Sequence, residues 1–318
     1  MKKFKTYYST QLRDLIDRFH FHRLNLIIVG GCVRDYLIND DLVTDVDMEV
    51  ISLEPKESPE SVYQKMKNAI AEAGVTNIEE LPFFIIRFEF NSLSIEVSIG
   101  REESFIDGDF SHKNFIPSFS TDDNYLKKWK RRDLSINSIG YDLGAQKIID
   151  PYKGCTDIEQ KILRPLSSNF YLDPVRALRL IRFKIQLGFQ LDQGIDLKHF
   201  NMSEVSFFYL LREGEKVGLS LFFSECIKYN ISFSSDLNVF VQFSKKEKFF
   251  NFRELVYKCA KNKDEKLFEQ IQKYGLFSIK KYKKLIKFFN NTNEPKNLES
   301  IRIAGEDFYK WAKNDYSL

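Results

Sequence analysis

Residues 30–47 read GGCVRDYLINDDLVTDVD, and the fold turns on how this stretch is read. Just upstream, LNLIIV (24–29) is a short apolar run that ends in Gly30-Gly31, the pattern of a buried strand entering a turn. CVRDYLI then resumes as a helix, and DVDMEVI (45–51) predicts a second strand. A turn without side chains lets backbone N–H groups approach phosphate oxygens, and a helix N-terminus adds partial positive charge. Arg34, one turn into the helix, can reach either a phosphate or a carboxylate. Asp45 and Asp47 stand two apart, so on a strand both side chains leave one face. Neighbouring carboxylates repel unless a cation lies between them, and hard oxygen ligands of this kind suit Mg2+. A lone D-x-D is commonly a solvated strand end and a lone Gly-Gly a plain turn. Together in one segment they make a site that binds triphosphate and metal at once, the coupling that nucleotidyl transfer needs.

Working outward, residues 8–20 predict a helix with Leu12, Leu15, Ile16 and Phe19 on one face, and 61–74 a helix stopped by Gly74. FFIIRFEF (83–90) and LSIEVSI (93–99) predict a hairpin across Asn91-Ser92. Glu96, flanked by Ile95 and Val97, faces opposite to both, and a lone acid there needs a partner. If its strand neighbours 45–51, Glu96 becomes a third carboxylate beside Asp45 and Asp47, and three such groups can hold two metal ions. Residues 100–123, with Gly, Ser, Asp and Pro and little periodicity, read as a mobile loop. Strands interleaved with helices point to an α/β first domain, and from about residue 124 helix signals dominate, apart from KIID (147–150).

Two arginine-rich segments follow. KKWKRRDLSINSIGYD (127–142) carries adjacent arginines, then Asp133 and Asn137, which share a face if the segment is helical. YLDPVRALRLIRF (171–183) sets Arg176, Arg179 and Arg182 at steps of three on a helix that Asp173 precedes like an N-cap. Asp173 can accept hydrogen bonds and Arg176 can donate them, a planar edge suited to a base, while Arg179 and Arg182 could hold phosphates or buttress that edge. A solvated basic face is the plainer reading, although Leu178, Ile181 and Phe183 require one side to be packed.

The bulk numbers agree with a folded protein of two or three domains. The chain has 318 residues, 43% of them hydrophobic, with 30 Phe and 15 Tyr. A net charge of +3 leaves room for a local basic stripe. Cys32, Cys155, Cys226 and Cys259 are scattered without a C-x-x-C, and His20, His22, His112 and His199 offer no H-D pair, so no zinc or disulfide framework is expected and a reducing cytoplasm fits. The basic start has no apolar core and no apolar run approaches the about 20 residues of a membrane span, so a cytoplasmic protein without membrane contact is expected.

Four segments, in order over roughly residues 27–190, resemble the signatures of class II tRNA nucleotidyltransferases (CCA-adding enzymes) and the related bacterial poly(A) polymerases. GGCVRDYL…DVD is similar to the family's G-G-x-V-R-D and D-x-D. IEVSIGR (95–101) is similar to its E-V-A-T-F-R strand, matching Glu96 and Arg101. RRDLSINSIGYD…IIDPYKG follows R-R-D-x-x-I-N-A and I-D-P-x-x-G, and LDPVRALRLIRF resembles E-D-P-x-R-x-L-R-x-x-R-F. The resemblance implies an α+β protein: a DNA polymerase β-like nucleotidyltransferase head, a mixed sheet with helices, over 1–145; a helical neck that selects the nucleotide over 146–235; and a helical body and tail that hold tRNA over 236–318.

The resemblance also implies roles. Asp45 and Asp47 would bind Mg2+, with Glu96 as the third catalytic carboxylate. Gly30, Gly31 and Arg34 would meet the triphosphate. Arg132, Asp133 and Asn137 would lie at the nucleotide, and Asp173 and Arg176 would read the base of CTP or ATP, with Arg179 and Arg182 nearby. The tRNA 3′ end would be the acceptor, with no obligate protein partner. At the position of the family's glutamate, which helps hold the base-reading arginine, stands Leu172, and neither an HD motif nor the longer tail of many members is read here. A narrower relative (CC-adding, A-adding or poly(A) polymerase) and a non-catalytic RNA-binding homologue are the alternatives. The lysines after residue 235 suggest an RNA-facing surface.

Overall fold

The computed structural model describes residues 1–105, 115–200, 202, 205–231 and 233–273. The chain divides into two compact units, one of residues 1–176 with 187–196, the other of 177–186 with the residues from 197 onward.

In the first unit the elements are α1 (Lys2–Gln11), α2 (Arg13–Phe21), β1 (Leu24–Val29), α3 (Gly31–Asn39), β2 (Asp45–Ser52), α4 (Pro59–Glu72), β3 (Ile78–Leu81), β4 (Ile85–Phe90), β5 (Leu93–Phe105), β6 (Phe115–Ser120), α5 (Tyr125–Lys128), β7 (Gly140–Asp142), β8 (Lys147–Ile149), α6 (Gly154–Gln160) and β9 (Ile162–Leu163). α7 (Val175–Leu187) runs from the first unit into the second, and β10 (Gln190–Leu191) returns to pair with β9. The main sheet has the order β3-β4-β5-β2-β1-β7-β8, with β6 on β5. Its central pair, β2 and β5, is parallel, and β1 is antiparallel to both β2 and β7.

Period-two alternation gives this sheet two unlike faces. Leu26 and Ile28 of β1, Val46, Met48 and Val50 of β2, and Leu93, Ile95, Val97 and Ile99 of β5 bury one face in a core shared with residues of α1–α4. The intervening positions (Asp45, Asp47 and Glu49 on β2; Ser94, Glu96 and Ser98 on β5) line the other face. That face is covered over β1 by Trp129, packed on Ile27 and Val29, and remains exposed at Asp45 and Asp47. The acids stand where they do because the apolar residues between them have claimed the core.

Local chemistry sets the boundaries. Ser58 caps α4 by accepting from the Ser61 N–H at 3.2 Å, with Pro59 in the first turn. Asp150 caps α6, accepting from the N–H groups of Gly154 and Cys155 at 2.7 and 2.9 Å. A Cβ on Gly154 would lie 2.3 Å from the Ser135 carbonyl oxygen. The I-D-P-x-x-G segment is thus an architectural joint in this chain. Asn91 and Ser92 turn the β4–β5 hairpin at φ 48° and 64°, the left-handed pair that a two-residue hairpin loop demands.

Three expectations are corrected here. The helix read over 8–20 is two helices, broken at Leu12 (φ −107°). The loop read over 100–123 is largely a hairpin: β5 runs to Phe105 and pairs with β6 from Gly100↔Ser120 to Phe105↔Phe115, while 106–114 lie outside the described residues. Asp133 and Asn137 do meet, but not on an α-helix: Asn137 ends a short 3-10 turn (Ser135–Asn137), and Asp133 lies in the link between it and a preceding one (Trp129–Arg131), after extended backbone at Arg132 (φ −68°, ψ 163°).

The second unit consists of residues 177–186 of α7 with α8 (Phe207–Gly214), α9 (Leu219–Lys228), α10 (Ser235–Lys246), α11 (Phe252–Asn262) and α12 (Glu265–Lys273) among its described residues. Phenylalanine fills it: Phe207 stacks on Phe240 at 4.3 Å, and Phe222, Phe223, Phe243 and Phe249 are buried. Two buried acids are matched by bases, Glu213 by Arg182 at 2.6 Å and Glu225 by Lys184 at 3.2 Å. No helix of the described residues is long and apolar enough to cross a membrane. The lysine-rich stretch past 273 lies outside the described residues.

Candidate active site

The parallel pairing of β2 with β5 sets Asp47 directly beside Glu96 and Asp45 beside Ser94. Asp45, Asp47 and Glu96 therefore share the face opposite the helical core. Glu96 is also opposite Arg87 on β4, which donates to it at 2.9 Å, so its charge is partly met within the sheet. Although Asp47 keeps access to solvent on this open face, desolvation by the surrounding protein pushes its carboxyl above the usual carboxylate range. The Glu96 charge adds to that shift and Arg132 opposes it.

Asp47 and Glu96 line one side of a cavity of about 220 Å3 whose other walls include Arg101, Arg131, Arg132 and Phe83. The three guanidinium groups share few acids. Glu103 takes Arg101 at 2.9 Å and lies 3.7 Å from Arg131. Burial together with the like charges of Arg132 and Arg101 pulls Arg131 down to about 10. One cavity thus joins an acid whose charge its surroundings disfavour to arginines whose like charges repel one another.

The glycine turn stands beside this cavity. Gly30 adopts φ 73°, ψ −127°, a region open to glycine alone, and a Cβ there would lie 3.1 Å from Arg132 Nη1. Arg132 donates to the Asn137 carbonyl oxygen at 3.1 Å and lies over the Trp129 ring. Arg34 is buried. It grips Asp35 through Nε and Nη2 at 2.7 and 2.9 Å and donates from Nη1 to Asn137 Oδ1 at 2.6 Å. Asn137 in turn donates to Asp133 at 2.9 Å. The R-D of one signature and the D-x-x-x-N of another therefore form a single, largely buried network behind the turn. Gly30→Ala is expected to cost about 1–3 kcal/mol of stability from backbone strain alone and to displace Arg132. Denaturant unfolding and nucleotide titration check the two effects separately.

Asp173 and Arg176 are both buried. Asp173 accepts from the Val175 N–H at 2.9 Å, as an N-cap does. Arg176 donates to the carbonyl oxygens of Asn169 and Arg131 at 3.0 and 2.7 Å, with Asp173 3.7 Å from its Nε. Main-chain oxygens thus hold Arg176 in a chain that has Leu172 where an acid would otherwise stand. Arg179 is half-buried over Phe183, and Arg182 forms the ion pair with Glu213 inside the second unit.

The donor set fits a divalent cation. Among the described residues no three His, Cys, Asp or Glu side chains are grouped to hold a metal ion alone. Mg2+ is commonly bound by one or two carboxylates with substrate phosphates and water completing the shell, and Asp45 with Asp47 supplies that pair.

The sequence reading left Arg131, Arg101 and Phe83 off the site. Arg131 was visible as the twin of Arg132. Arg101 was matched only as the end of the E-V-A-T-F-R-like strand, and Phe83, read as the start of a strand over 83–90, carried no signal for the site.

A mixed sheet with an acid pair on its central strand, behind a glycine turn and beside clustered arginines, is the architecture of a nucleotidyltransferase head. Residues 26–164 match the family described as the poly A polymerase head domain. The CCA-adding enzyme of Buchnera aphidicola subsp. Cinara cedri is 34% identical over 166 residues, covering 52% of this chain and 36% of that protein. The multifunctional CCA protein of Actinobacillus pleuropneumoniae serotype 5b is 32% identical over 171 residues, covering 53% and 37%. The matched segment therefore spans well under half the length of these relatives. Among solved structures, the Bacillus stearothermophilus CCA-adding enzyme in complex with CTP superimposes with a TM-score of 0.64 at 18% identity, covering 95% of this chain and 75% of that one. A tRNA-processing enzyme in an apo form does so at 0.60 and 19%, covering 95% of each. At such identities the likeness is one of fold. Residues 26–164 thus resemble a poly A polymerase head domain, and about half of the chain is similar to CCA-adding enzymes.

Proposed function

We propose that this protein adds C, C and A to tRNA 3′ ends from CTP and ATP, with 1–145 as catalytic head, 146–235 as nucleotide-selecting neck and 236–318 as tRNA-holding body and tail. The observation that carries this reading is the cavity in which Asp47 would gain from a further cation and Arg131 from a further anion. A nucleoside triphosphate with its divalent ion supplies both. Asp45 and Asp47 would hold Mg2+, which when bound lowers the pKa of an attacking hydroxyl and offsets charge on the phosphates. Arg131 and Arg132 would draw in the triphosphate, while the Arg34–Asn137–Asp133 network would hold the glycine turn in shape. The acceptor 3′-oxygen forms a bond to the α-phosphorus as the bond to the bridging oxygen breaks. Pyrophosphate leaves, and the hydroxyl proton passes to the acid face. Asp173 and Arg176 would present the base-reading edge, Arg176 being fixed by main-chain oxygens where Leu172 replaces an acid.

The test is extension of tRNA transcripts ending before CCA, after CC and after CCA, each with Mg2+ and labelled CTP or ATP. Ordered C, C, A addition that then stops is the expected result. Addition of only C, only A or an unbounded A tail assigns a narrower relative and points to Leu172. No incorporation in any arm, with RNA still bound, assigns a non-catalytic RNA-binding homologue.

A further inference from the structure

Phe83 is an exposed aromatic ring at the carboxylate cavity, in a backbone state that a phenylalanine avoids. It sits with Phe84 in the turn between β3 and β4, at φ 69° and 57°. Two successive left-handed residues suit Gly or Asn, and bulky side chains there cost energy. Phe84 has a packing reason: its ring meets Tyr63 and Phe119 edge-on at 5.4 and 4.9 Å. Phe83 is packed more loosely, its ring centre 6.2 and 6.4 Å from those of Phe115 and Phe119, and it is 43% exposed while lining the cavity with Asp47 and Glu96. The Arg101 guanidinium lies 5.0 Å from its ring centre and 5.4 Å from that of Phe115. The ring is therefore propped against a cation, which is itself paired with Glu103. An exposed aromatic held by a strained turn beside a reactive centre is shaped to receive a flat ligand.

The sheet order says which flat ligand. The glycine turn follows β1, on one side of β2, and the turn bearing Phe83 precedes β4, on the other side, beyond β5 and Glu96. If the triphosphate lies along the glycine turn, in-line displacement brings the acceptor from the opposite side. We propose that Phe83 is a positioning residue on whose ring the base of the acceptor's 3′-terminal nucleotide stacks, setting the 3′-hydroxyl towards Asp47, with Arg101 giving the adjoining phosphodiester a counter-charge. This rests on the nucleotidyl-transfer reading above. Stacking reads no sequence, which suits an acceptor whose last base changes as the chain grows.

The experiment compares the full-length protein with Phe83→Ala, Phe83→Leu and Phe83→Trp. It uses an RNA acceptor carrying 2-aminopurine at its 3′ end, whose fluorescence is quenched by stacking, and steady-state incorporation with acceptor and nucleotide varied separately. The expected result is quenching on the native protein, lost in Phe83→Ala and Phe83→Leu and restored in Phe83→Trp. The KM for acceptor should rise about 10- to 100-fold in the first two, with the KM for nucleotide unchanged. An unchanged nucleotide KM also shows that these variants fold. Quenching and acceptor KM that ignore Phe83, or a rise in the nucleotide KM alone, overturn the proposal. Phe83-dependent quenching in a protein that incorporates nothing overturns the catalytic reading and leaves the stacking site standing.

Discussion

Asp47→Asn is expected to reduce nucleotide incorporation by about 1,000-fold or more while making the metal-free protein more stable. The first effect follows from removing one of two ionic ligands for a cation whose role in charge stabilisation is worth several kcal/mol. The second follows from the raised pKa. The carboxyl titrates above its unfolded value of 3.8 because desolvation and the adjacent Glu96 disfavour its charge. Stability is therefore lowered as pH rises through the folded pKa, and this loss is recovered as pH falls below the unfolded value. At neutral pH the native protein carries the full penalty and the asparagine variant does not. Thermal melts at pH 7 should show a higher midpoint for the variant without Mg2+, and an Mg2+-dependent rise for the native protein alone. A variant that melts lower, or native melts indifferent to Mg2+, would sink this account.

The second large effect belongs to the helical unit. Arg182→Met is expected to cost about 3 kcal/mol, because removing one partner strands a buried charge. Glu213 is 4% exposed and its closest base is Arg182, at 2.6 Å. The loss stays at the low end of the range because Lys216, 3.2 Å from Glu213, remains. Methionine keeps most of the packing against Phe183, whose ring centre lies 3.9 Å from the guanidinium. The double variant Arg182→Met, Glu213→Leu should return close to native stability, since an apolar pair of similar volume replaces a buried ion pair without loss. Urea unfolding decides it: a single variant within about 0.5 kcal/mol of the native protein would mean the pair is structurally idle.

What the sequence revealed of this molecule depended on whether the signal was local. The strands at 24–29 and 45–51 and the hairpin across Asn91-Ser92 were legible, because apolar alternation and turn residues act within a few positions. The acid face was half legible. The spacing of Asp45 and Asp47 fixed their shared side, but nothing in it told that β5 would lie parallel to β2 with Glu96 at the level of Asp47. The stretch 100–123 misled because its composition is that of a loop, whereas pairing with a partner strand is what makes Gly100 to Phe105 extended. Steps of three told that Arg182 shares a helix with Arg176. They said nothing of Glu213, thirty-one positions on, which places Arg182 in a core ion pair.

The third acid of β2 behaves unlike its two neighbours. Glu49 follows Asp45 and Asp47 on the same face, but it is buried, and its two oxygens meet Lys128 at 2.8 Å and the Trp129 indole N–H at 3.0 Å. Lys128 itself is fully enclosed, and a Cβ on Gly100 would lie 2.4 Å from its side chain, so the glycine opens the slot in which the ammonium lies. The row of acids is thereby stoppered at one end by a counter-ion that the chain carries covalently and cannot lose to dilution or chelation. Mobile ions find only the open end to compete for.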